Sequence, residues 1–71
     1  MQTFGQKLRL LRKQHGITLR RLAEQLSTSH GYIADLESGR RKPSLELARK
    51  VADVFDVSVD QLAKDELELD A

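Results

Sequence analysis

Arg40, Arg41 and Lys42 are three consecutive cations directly after Gly39, and Arg20 with Arg21 forms a second basic group upstream. Cations grouped this way neutralise phosphate oxygens along a polyanion. Between the two groups stand Ser29, His30, Gly31, Tyr32, Ala34 and Asp35, small or polar residues suited to a surface that touches another molecule. The charge is unevenly spread. Residues 1–42 carry nine Lys/Arg against three Asp/Glu, a net +6, and residues 43–71 carry three against eight, a net −5. A chain so polarised presents one basic face to a polyanion while the rest stays acidic.

Other chemistries fail on residue type and spacing. His15 and His30 have no partners at zinc-ligand spacing, and there is no Cys. No glycine-rich loop cradles a nucleotide, and no Ser-His-Asp order is suggested. Phe4, Tyr32 and Phe55 are the whole aromatic content, too few to stack single-stranded bases. Enzyme activity is therefore not expected, and no cofactor or metal is called for.

Helices must position the basic groups. Thr3-Phe4-Gly5-Gln6 fits a capping box, after which Phe4, Leu8 and Leu11 make a core stripe. Gly16 stops this helix, and Ile17 beyond it folds back on Leu11. Thr18 caps a second helix, with Leu22, Ala23 and Leu26 on one face and Ala23 small where two helices pass closely. Ser29 caps a third, ended by Gly39, with Ile33 and Leu36 turned inward. Pro43-Ser44 opens a fourth, whose buried stripe is Leu45, Ala48, Ala52 and Phe55. Ser58 with Gln61 is a second capping box, opening a last short helix through Leu62. The expected helices span roughly 3–15, 18–26, 29–38, 44–55 and 58–64.

Seventy-one residues make one unit near the lower size limit for folding without staples. Residues 1–64 are expected to form an all-α domain and residues 65–71 a flexible acidic tail. No apolar run reaches the ~20 residues that span a bilayer, and no signal-peptide core is present. A soluble cytoplasmic protein with no membrane partner is the expectation.

The ordered set FGQKLRLLRKQHGIT, LAEQL, YIADLESGRRKPS and VADVFDVSVDQL resembles the phage-repressor (Xre/Cro) type of helix-turn-helix domain from Phe4 to Leu62. The resemblance implies a compact, lambda-repressor-like five-helix bundle of bacterial or phage origin, with its motif at about 19–38. It implies a sequence-specific regulator of transcription, a repressor that binds a palindromic double-stranded operator as a weak two-fold dimer. Helix 29–38 would enter the major groove. Arg12 and Glu37 match the family's internal ion pair between the first and third helices. Thr18 and Arg20 match the opening of the second helix, whose N-terminal amides point toward phosphate, with Arg21 expected to contact DNA beside them, and Arg40, Arg41 and Lys42 match backbone contacts after the third.

Three residues depart from the pattern. Leu19 replaces a frequent Gln and cannot brace a reading side chain, and Ser27 stands where a turn glycine is usual. Gly31 sits in the first turn of the recognition helix, at a propensity cost of about 1 kcal/mol against Ala. No Arg, Lys, Asn or Gln projects from mid-helix, so specificity leans on DNA shape. Dimer contacts are expected at the C-terminal end, from Val54, Val57, Val59, Leu67 and Leu69. The alternative is a protein-interaction module of the same fold, antitoxin-like or a docking domain, with Leu10 and Val54 as off-stripe apolar contacts.

Overall fold

The computed structural model describes residues 3–63. Five helices follow in chain order: α1 (Phe4–Gln14), α2 (Leu19–Gln25), α3 (His30–Ser38), α4 (Leu45–Phe55) and α5 (Val59–Ala63). No strand occurs among the described residues. Residue 64, the expected end of the last helix, lies outside them, as do the expected acidic tail 65–71 and its Leu67 and Leu69.

Local capping chemistry explains where each helix begins. Thr3 Oγ1 accepts from the Gln6 N–H at 3.2 Å while Thr3 N–H donates to Gln6 Oε1 at 2.9 Å. Ser58 and Gln61 make the same reciprocal pair at 3.0 and 2.9 Å. Thr18, Ser29 and Ser44 each accept one backbone N–H of the following turn, at 3.0, 3.2 and 3.1 Å. These caps satisfy donors that a helix start leaves without partners.

The helix ends share a second device. After α1, Ile17 N–H donates to the Arg12 carbonyl and Gly16 N–H to that of Lys13, at 3.2 and 3.1 Å. After α2, Thr28 donates to Ala23 and Ser27 to Glu24, at 2.9 and 3.2 Å. After α3, Arg40 donates to Asp35 and Gly39 to Leu36, at 2.9 and 3.3 Å. This closure needs one left-handed residue per end. Gly16 and Gly39 supply it at φ 66° and 85°, but Ser27 and Asp56 do so at φ 58° and 55°.

Ser27→Gly is therefore expected to stabilise the protein. A side chain in the left-handed region costs roughly 1–2 kcal/mol, and the extra freedom of glycine in the unfolded chain offsets part of that. A net gain of about 0.5–1 kcal/mol should raise Tm by several degrees, read by thermal circular dichroism. An unchanged or lower Tm would count against strain at this turn.

The core joins all five helices: Phe4 and Leu8 from α1, Leu22 and Ala23 from α2, Leu26 just after it, Ile33 and Leu36 from α3, Leu47, Ala48, Val51, Ala52 and Phe55 from α4, and Leu62 from α5. One element of the expected stripe needs correction. Leu45 is 42% exposed, whereas Leu47 and Val51 are buried. At about 100° per residue, the centre of the buried arc of α4 lies roughly 90° away from Leu45. Val54, Val57 and Val59 are half-buried and pack against this core.

α1 crosses α3 at Gly5, which is itself buried. A Cβ built there would overlap the Leu36 carbonyl oxygen and press on the backbone of Glu37. At the other side of α1, Lys7 Nζ donates to the Gln61 carbonyl at 2.8 Å and so ties α1 to α5.

Candidate nucleic-acid interface

α2 and α3 pack together across the turn that runs through Ser27 and Thr28, burying Leu22, Ala23, Ile33 and Leu36 between them and the core. Their packing turns the start of α3 outward. Ser29, His30 and Gly31 are exposed. Arg20, Ala23, Glu24, Thr28, Ser29 and His30 line a shallow cleft of about 220 Å³ beside it. Apart from its chain neighbours and its own helix backbone, no atom lies within 4 Å of the position a Gly31 side chain would occupy, so the backbone of this turn is open to approach.

One residue of each basic group lies near that end, Arg20 in the cleft and Arg41 against Tyr32. Arg20 and Arg21 are exposed on α2, and Arg40, Arg41 and Lys42 are exposed after α3. Arg21 Nη1 reaches Glu24 Oε1 at 3.4 Å, with both side chains more than 60% exposed. A pair so solvated is worth little and leaves the cation available. Arg40 has its backbone fixed by the bond to Asp35, so the first cation follows α3 in a defined direction. The Thr18 and Ser29 hydroxyls are engaged in capping.

Three of the expected DNA-contact residues are less open. Tyr32, Ala34 and Asp35 are half-buried. The exposed surface of α3 therefore concentrates in its first turn, and the carbonyl of Asp35 serves the loop by accepting the Arg40 and Arg41 N–H groups. Leu19 is half-buried against the core, as its apolar side chain requires.

Arg12 and Glu37 form a two-pronged pair: Nε to Oε2 at 2.7 Å and Nη2 to Oε1 at 3.1 Å. Nη1 of the same guanidinium donates to the Ile17 carbonyl at 3.1 Å. One cation thus ties α1, the α1–α2 connection and the end of α3. The side chains are only 13% and 8% exposed. The hydrogen bond to Glu37 raises the Arg12 pKa above its ordinary value, against the opposing effect of burial. Arg12 therefore stays charged throughout the working pH range.

A family profile described as "Helix-turn-helix" matches residues 8–62. The chain belongs to the helix-turn-helix family. The matched stretch takes in α2, α3 and α4 entirely. It is 34% identical over 64 residues to the immunity repressor protein of Bacillus phage phi105, covering 90% of this chain and 44% of that protein. It is 38% identical over 69 residues to the transcriptional regulator SinR of Bacillus licheniformis, covering 93% and 62%. Among solved structures, the N-terminal DNA-binding domain of SinR from Bacillus subtilis superposes with a TM-score of 0.80 at 33% identity, covering 92% of this chain and 96% of that one. The chain thus spans about half of the first two relatives and nearly all of the third.

Two ring contacts carry no local sequence signal. The guanidinium of Arg41 lies 5.6 Å from the centroid of the Tyr32 ring. His15 packs on Phe55 with ring centroids 4.9 Å apart. Such contacts depend on how helices and loops meet. Among the described residues no cluster of His, Cys, Asp and Glu could hold a metal ion, and no helix is long and apolar enough to cross a membrane.

Proposed function

We propose that this chain is a sequence-specific double-stranded DNA-binding regulator of transcription, a repressor that acts as a dimer. The observation that carries the reading is the exposed first turn of α3, with Arg20 lining the cleft beside it and Arg41 lying against Tyr32. α3 enters the major groove, where the open backbone at Gly31 allows close approach and His30 reaches a base edge or phosphate. Arg20, Arg21, Arg40, Arg41 and Lys42 contact the sugar-phosphate backbone and set register. The resemblance to an immunity repressor and to a DNA-binding domain supports the same reading.

One domain of this size reads only a few base pairs, so two copies related by a dyad on a palindromic site supply the missing specificity. The exposed leucines, Leu10 at 45% and Leu45 at 42%, and the half-buried Val54, Val57 and Val59 offer limited apolar area. The dimer is therefore weak alone and strengthened by DNA through mass action. Sedimentation over a wide concentration range, with and without a palindromic duplex, should show two copies per duplex at saturation. One copy per duplex would remove the dimer.

Fluorescence anisotropy with duplexes of random sequence at two salt concentrations tests the central claim. Saturable binding that weakens steeply with salt is expected, and salt-independent or absent binding would overturn it. Arg41→Ala should weaken all duplexes about equally and reduce the salt slope by about 0.9 for each phosphate no longer neutralised. An unchanged slope with altered sequence preference would instead make Arg41 a base reader.

A further inference from the structure

We propose that Tyr32 is a positioning residue for Arg41, holding the loop after Gly39 against α3 so that both meet DNA as one rigid unit. The inference rests on the DNA-binding reading above. Three observations carry it. The Arg41 guanidinium lies 5.6 Å from the Tyr32 ring centroid. Its backbone N–H, like that of Arg40, is bonded to the Asp35 carbonyl, at 3.3 and 2.9 Å. Tyr32 is itself anchored, with its N–H on Ser29 Oγ at 3.2 Å and its side chain half-buried against the core.

A guanidinium over a ring is held by the quadrupole of the ring and spends none of its N–H donors on a hydrogen-bond acceptor. Among the described residues no carboxylate pairs with Arg41, so no ion pair has to break before those donors reach a phosphate. An arginine ordered in advance loses less side-chain freedom when it binds. The ring supplies that order without competing for the donors. The Tyr32 hydroxyl plays no part in it.

A double-mutant cycle measured by anisotropy tests the inference. It uses Tyr32→Phe, Tyr32→Leu, Tyr32→Met and Arg41→Ala, with each of the two aliphatic changes also combined with Arg41→Ala. Thermal melts exclude a misfolded variant, and the two aliphatic changes keep the cycle decisive if one fails to fold. Tyr32→Phe should bind as the wild type does. Tyr32→Leu and Tyr32→Met should each weaken binding about threefold to fivefold, the effect of removing an exposed cation–π interaction. That effect should vanish when Arg41 is already alanine. An undiminished effect in the Arg41→Ala background, or a Tyr32→Phe as weak as Tyr32→Leu, would overturn the positioning role while leaving DNA binding intact. A wild type that binds no duplex would overturn the DNA-binding reading and this role with it.

Discussion

Gly5→Ala is expected to cost about 3 kcal/mol or more, at the upper end of what overpacking a core exacts. The added methyl has nowhere to go. Its Cβ would overlap the Leu36 carbonyl oxygen, and the Glu37 carbonyl oxygen and carbon lie at 3.0 and 3.1 Å. These are backbone atoms of α3, so no rotamer change relieves the clash. α1 must instead move off α3, loosening Phe4 and Leu8 in the core. A chain of this length holds roughly 4–10 kcal/mol of stability in total, so the loss is a large share. At about 4–8 °C per kcal/mol, Tm should fall by more than 10 °C.

Gly31→Ala supplies the control because it makes the same chemical change on an exposed helical turn. Apart from its chain neighbours and its own helix backbone, nothing lies within 4 Å of that Cβ position, so alanine should add about 0.5–1 kcal/mol of stability there. The pair separates steric exclusion from helix propensity. If Gly5→Ala melts within a degree or two of the wild type, the close crossing of α1 and α3 is wrong.

The contrast between these glycines shows which features the sequence makes legible. Thr3, Thr18, Ser29, Ser44 and Ser58 announce their helices because a cap acts over three or four residues. Gly16 and Gly39 announce helix ends for the same local reason. Gly5 sits inside a helix, where nothing nearby in sequence demands glycine, and its role exists only once α3 crosses α1. Asp56 is similar, since its left-handed backbone follows from the closure after α4 rather than from its own preference. Leu45 misleads because its spacing suits a four-residue stripe, while burial of Leu47 and Val51 rotates the true face. At the interface, the basic groups are visible as charge clusters. The contact between Arg41 and Tyr32 requires the loop to return over α3, which no local pattern encodes.

Glu37→Ala is the second change with a large expected effect, about 2–4 kcal/mol, approaching the cost of breaking a buried ion pair. The Arg12 guanidinium would keep its bond to the Ile17 carbonyl but forfeit both carboxylate bonds in a site where little water reaches it. Most of that cost is the penalty of an unpaired, poorly hydrated cation rather than the intrinsic worth of the pair. One consequence distinguishes this account from the mere removal of a favourable interaction. Arg12→Met combined with Glu37→Leu should be less destabilised than Glu37→Ala, because no orphaned charge remains. The stabilising effect of protonated Arg12 should persist from neutral pH upward and be lost only as pH rises through its raised pKa, in strong alkali. DNA binding should respond differently again. In the apolar double variant the fold is retained, but α3 loses a directional tie to α1, so affinity should fall more than melting temperature suggests. A double variant that melts as low as Glu37→Ala would show that directed hydrogen bonds, and not relief of a partly buried charge, hold this corner of the fold.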